Sequence, residues 1–105
     1  DKGNCITVSA IGGFSFYQDQ DFIGRGGAGS AIKILYNEKL NEKNALFICA
    51  VLKKTLSKYD YTTMLSGDKL KKELIYLPVR KDGKPDFEFM EKYIDNLQNQ
   101  LKVWL

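Results

Sequence analysis

Two stretches bring together side chains suited to engaging a ligand. Residues 24–29 read Gly-Arg-Gly-Gly-Ala-Gly, a literal GxGxxG. Such glycines hold a pyrophosphate only where they follow a strand and open a helix, because the helix N-terminus binds the anion. Here they lead into Ser30 and the strand-like AIKILY, with no Lys-Ser/Thr pair of a phosphate loop, so a nucleotide fold is rejected. The glycines instead allow a tight loop with positive φ angles that presents Arg25. Its planar fork matches guanine O6 and N7, or a phosphate. The plainer alternative is a solvent-exposed or internally salt-bridged arginine. The second stretch, residues 53–63, interleaves Lys53, Lys54 and Lys58 with Thr55, Ser57, Tyr59, Asp60, Tyr61, Thr62 and Thr63, and Lys69 and Lys72 follow. Lysines and hydroxyls match phosphates, whereas Tyr, Thr and Asp can meet base edges and sugars. A basic helix end also complements the helix dipole with no ligand at all.

Other chemistries find little to use. There is no His, and Cys5 and Cys49 stand far apart without a CxxC, which argues against a zinc site or His-based acid–base catalysis. Cys49 lies in an apolar run and reads as a buried small hydrophobe. The close carboxylate pairs (Asp19 with Asp21, Glu38 with Glu42, Glu88 with Glu91) occupy turn or helix-surface positions. No catalytic residue, metal or cofactor is therefore expected. The net charge of +3 is mild, but the lysines crowd the second half of the chain. The 105 residues, 44% hydrophobic, suffice for one modest core, and six Tyr and six Phe exceed what that core needs. No apolar span is long enough for a membrane and no leader is recognisable, so a cytoplasmic location is expected. The chain opens on Asp1 in mid-pattern, as a piece of a longer protein would.

The positioning elements follow from local pattern. Residues 5–11 (CITVSAI) and 14–17 read as strands broken by Gly12-Gly13, and 31–36 (AIKILY) as a third. Residues 40–59 change to a helical period, with Asn41 as N-cap and an apolar run at 45–52 that reads as buried. Ser66 can cap a short helix through Lys72, residues 74–79 (LIYLPV) return as a strand, and 81–84 turn. Asp86 caps a last helix in which Phe87, Met90, Ile94, Leu97, Leu101 and Trp104 recur at spacings of 3, 4, 3, 4 and 3. That is a coiled-coil seam; the alternative is a terminal helix packed on its own domain. The expected class is α+β: a small twisted, mostly antiparallel β-sheet with a buried helix packed on it, followed by the start of a long coiled-coil-like spacer helix. The boundary divides residues 1–85 from 86–105.

Taken in order, these features resemble the target-recognition domain of restriction–modification specificity subunits, of the type I and related BcgI-like or fused type II kinds. The resemblance runs through Ile6-Thr7-Val8-Ser9-Ala10, Gly13, Phe16-Tyr17-Gln18, Ala45-Leu46-Phe47-Ile48 and Lys58-Tyr59-Asp60-Tyr61. Its most specific part is the tail, Leu77-Pro78-Val79 and then Asp82 to Ile94 (DGKPDFEFMEKYI). It departs from the family pattern at the glycine loop and at Thr62-Thr63-Met64-Leu65. The resemblance implies a non-catalytic domain that reads one half of a split double-stranded DNA site. It also implies methyltransferase and restriction subunits, or fused equivalents, as partners, and a second recognition domain joined through the spacer helix. Lys53, Lys54, Lys58, Lys69 and Lys72 would then approach phosphates, and Arg25, Tyr59, Tyr61, Thr62 and Thr63 base edges. The rival reading is a protein-interaction module that uses the aromatic surface and the heptad helix without touching DNA.

Overall fold

The computed structural model describes residues 2–22 and 32–104, with side chains through residue 100. Arg25 and the rest of the glycine loop lie outside the described residues, as do the side chains of Leu101 and Trp104. Three strands, β1 (Cys5–Ser9), β2 (Ser15–Gln18) and β3 (Ile32–Tyr36), form an antiparallel sheet with β1 in the centre. Period-two alternation divides its faces. Ile6 is level with Tyr17 and Leu35, and this row, with Val8, turns toward the helices. Thr7, Phe16 and Ile34 share a row on the opposite face. β1 ends at Ser9 rather than running to residue 11. The chain there turns back through Gly12 and Gly13, both at positive φ, and Ser9 N–H closes the hairpin on the Phe14 carbonyl at 2.8 Å.

Helix α1 (Glu42–Leu56) starts where its cap directs. The Asn41 and Asn44 side chains each accept the other's backbone N–H at 2.9 Å, and the Asn44 amide donates to the Lys39 carbonyl at 2.8 Å. These bonds satisfy orphan donors of the first turn and the polar end of a fully buried Asn44. Ala45, Ile48, Leu52 and Leu56 line the face pressed on the sheet. The helix is not buried all round as its apolar run implied. Leu46 and Ala50 are exposed, and Cys49, expected in the core, is half-buried. The second helix, α2 (Gly67–Lys72), begins at Ser66, whose hydroxyl accepts from Lys69 N–H at 3.2 Å.

The segment expected as a strand at 74–79 is extended but joins no sheet. Only Val79 pairs, in an isolated bridge with Pro85. Ile75 and Leu77 turn inward while Leu74 and Tyr76 stay exposed, so the period-two pattern is present without a ladder. Alternation decides which side chains turn in, whereas a ladder also needs a partner edge in register, and Pro78 has no N–H to give one. What this tail does build is the base of helix α3 (Phe87–Trp104). Asp86 N–H donates to the Pro78 carbonyl and Arg80 N–H to the Lys84 carbonyl, both at 2.8 Å. The Asp86 carboxylate then caps Phe89 N–H at 3.0 Å.

Helix α3 packs on α1 through its first turns. Met90 is 0% exposed in the core, Phe87 packs half-buried against it, and Tyr93 meets Phe47 edge to face at 5.5 Å. The expected seam therefore divides: Phe87 and Met90 belong to this domain's own core, Ile94 is half-buried, and Leu97 is 41% exposed.

Candidate nucleic-acid interface

The basic and aromatic residues collect where α1 ends. Its C-terminus is held against the β1–β2 hairpin at Gly13. An added Cβ there would lie 2.9 Å from the Lys53 carbonyl oxygen and 3.0 Å from Leu56 C and Ser57 N, at a φ of +73°. Only glycine tolerates both the conformation and the approach. Beyond the helix the chain is sewn to the same hairpin: Gly12 N–H donates to the Tyr59 carbonyl at 2.8 Å and Leu65 N–H to the Ala10 carbonyl at 2.9 Å. The loop between those two bonds is thus fixed at both ends.

Within it, Asp60 makes a tight turn. One carboxylate oxygen accepts Thr62 N–H and Thr63 N–H at 2.9 Å and the Thr62 hydroxyl at 2.7 Å, and Asp60 N–H donates back to the Thr63 carbonyl at 3.0 Å. The Thr62 hydroxyl, followed by the backbone N–H groups of Thr63 and Thr62, holds the Asp60 carboxyl below its usual range. Tyr61 projects from this turn at 84% exposure. Thr62 and Thr63 are exposed beside it.

Tyr59 corrects the expectation for the loop. It is 8% exposed and packed in the core, so its ring faces no base edge. Its hydroxyl donates to Glu73 Oε1 at 2.5 Å, and Lys58 Nζ lies 2.7 Å from the same oxygen. Glu73 follows α2, and its side chain is 13% exposed. Hydrogen bonds from Lys58 and then Tyr59 hold its carboxyl below the ordinary range, while the bond to Glu73 raises both Lys58 and Tyr59. Sequence reasoning passed over Glu73. Its partners lie 14 and 15 positions away, and no local pattern encodes a pairing at that distance.

The expected phosphate-binding lysines fall into three groups. Lys53 donates to the Gly12 carbonyl at 2.7 Å and lies 3.6 Å from the Phe14 ring centroid; Lys69 donates to the Met64 carbonyl at 3.2 Å and lies 5.9 Å from the Tyr59 ring. Each retains spare donors, since an ammonium has three. Lys54 and Lys72 are exposed and make no described side-chain contact. Lys58, its side chain 60% exposed, differs in having a carboxylate partner, Glu73. Among the described residues no group of His, Cys, Asp and Glu could hold a metal ion, and no helix is long and apolar enough to cross a membrane.

The arrangement is a polar-tipped loop held by hydrogen bonds at both ends, with exposed lysines in the helices on either side, a chemistry suited to an anionic polymer. Residues 1–103 match the family described as Type I restriction modification DNA specificity domain. Among curated proteins, the chain is 34% identical over 67 residues, 64% of its length, to a Type II restriction enzyme BgcI specificity subunit, S.BcgI, of Heyndrickxia coagulans. The match spans 20% of that relative. No solved structure matches.

Proposed function

The chain belongs to the type I restriction–modification DNA specificity family, and from that premise we propose that it reads one half of a split double-stranded DNA target. In doing so it directs methyltransferase and restriction subunits, or their fused equivalents, to that target, and itself carries out no chemistry. The observation that carries this reading is the Asp60 turn. It fixes the backbone around Tyr61 and leaves that ring and the neighbouring Thr63 exposed, so little ordering entropy remains to be lost on contact. Lys54 and Lys72, with the spare donors of Lys53 and Lys69, approach phosphates, and Tyr61, Thr62 and Thr63 approach base edges. Arg25, outside the described residues, is assigned a base-edge contact on its guanidinium chemistry alone.

A second recognition domain pairs with this one through the continuation of α3. The body is residues 1–85 and the spacer helix begins at 86, with its first turns anchored in the body by Met90 and its outward seam opening at Leu97. Binding titrations of the assembled enzyme test the surface. Lys54→Ala weakens all sequences alike and reduces the salt slope by about 0.9 for the lost phosphate contact. Tyr61→Ala lowers discrimination between target and random duplex. Unchanged binding in both variants overturns the assigned surface.

A further inference from the structure

Of the lysines expected at phosphates, Lys58 alone has a carboxylate partner among the described residues. That carboxylate also takes the hydroxyl of Tyr59, the residue whose carbonyl anchors the loop to the hairpin. Glu73 therefore does two things at once. It ties the start of the recognition loop to the segment after α2, and it cancels one positive charge two residues before the base-facing turn. A free lysine at that position would attract every phosphate equally, because an ammonium is a compact charge with no planar geometry to select a partner. Phosphate attraction supplies essentially all of sequence-independent binding, so a cation removed from it lowers the background against which a target must be distinguished.

We propose that Glu73 is a specificity-determining positioning residue: by holding Lys58 and Tyr59 it withholds one lysine from the phosphate backbone and presents the Tyr61 turn in a single placement. The proposal rests on the DNA-reading function above. Glu73 touches no base itself and acts through the two residues it binds.

Glu73→Gln separates charge from architecture, because the amide oxygen can still accept from Tyr59 while the charge of Lys58 is no longer balanced by a carboxylate. The test measures affinity for target and random duplexes against salt in the assembled enzyme. Glu73→Gln is expected to bind random duplex more tightly at low salt. Its slope steepens by one phosphate contact, an additional loss of about 3.5-fold between 50 and 200 mM salt. The ratio of target to random affinity falls. Lys58→Gln/Glu73→Gln returns the slope to the wild-type value, because the released charge is gone. Tyr59→Phe keeps the ion pair, so it lowers the ratio with the slope unchanged.

A Glu73→Gln slope equal to wild type, with only a lowered melting temperature, shows a merely structural role and overturns the proposal. A steep slope that persists in the double variant does the same. If the wild-type enzyme itself shows no salt-dependent DNA binding, the reading beneath falls, and the proposal falls with it.

Discussion

Tyr59 and Tyr61 are separated by a single residue and end on opposite sides of the protein surface. Nothing in the stretch Lys58-Tyr59-Asp60-Tyr61 distinguishes them, because its composition is that of a solvated basic loop throughout. Burial of Tyr59 depends on the core residues Leu56 and Leu65 and on a carboxylate 14 positions further on, which are facts of tertiary structure. Asp60 was expected among the groups that meet base edges and sugars; its carboxylate instead accepts from the backbone two and three residues ahead. Both carboxylates carry a pH consequence. Glu73 and Asp60 have folded-state pKa values below their ordinary 4.5 and 3.8, so each contributes stability above its unfolded pKa. That contribution is lost as pH falls through the lower, folded value. Thermal melting from pH 7 down to about 3 is expected to show a plateau at neutral pH and a fall below the ordinary carboxylate range. Glu73→Gln flattens part of that fall; an unchanged profile contradicts the assignment.

At the scale of elements, local signals worked where the physics is local. The Asn41 cap, the Ser66 cap and the Asp86 cap each start a helix within a residue or two of the expected position, since the bonds are made to N–H groups of the same turn. Strand pairing is the opposite case. Residues 74–79 have the alternation of a strand yet pair with no edge of the sheet, and they seat α3 through the Pro78 carbonyl and the Val79 bridge. The glycines at the hairpin were legible as an interruption, not as the contact point for the end of α1. Gly13→Ala should therefore cost about 1–3 kcal/mol for the left-handed backbone and also push the Lys53–Ser57 backbone outward. Chemical denaturation measures the cost. A neutral effect would show that the hairpin and helix do not depend on this approach.

For the whole molecule, the proposed boundary between domain and spacer helix falls at the start of α3. The heptad spacing was plain in the sequence, but a seam does not say which partner it faces. Here its first members face the domain's own core and Leu97 faces solvent. Met90→Ala should destabilise the body by about 2–5 kcal/mol, as removal of a fully buried side chain does. Leu97→Ala should leave the melting temperature of the body nearly unchanged while weakening association with a second recognition domain, read by sedimentation of the full-length subunit. Equal destabilisation by both variants would place Leu97 in this core and remove the spacer assignment.

Whether this chain reads DNA sequence is decided by selection. A randomised duplex library is passed over the enzyme assembled with this chain at two salt concentrations, and the retained duplexes are sequenced. Enrichment of a short motif that persists at the higher salt and is blurred by Tyr61→Ala is expected. Retention that falls with salt and enriches no motif at either concentration would contradict it.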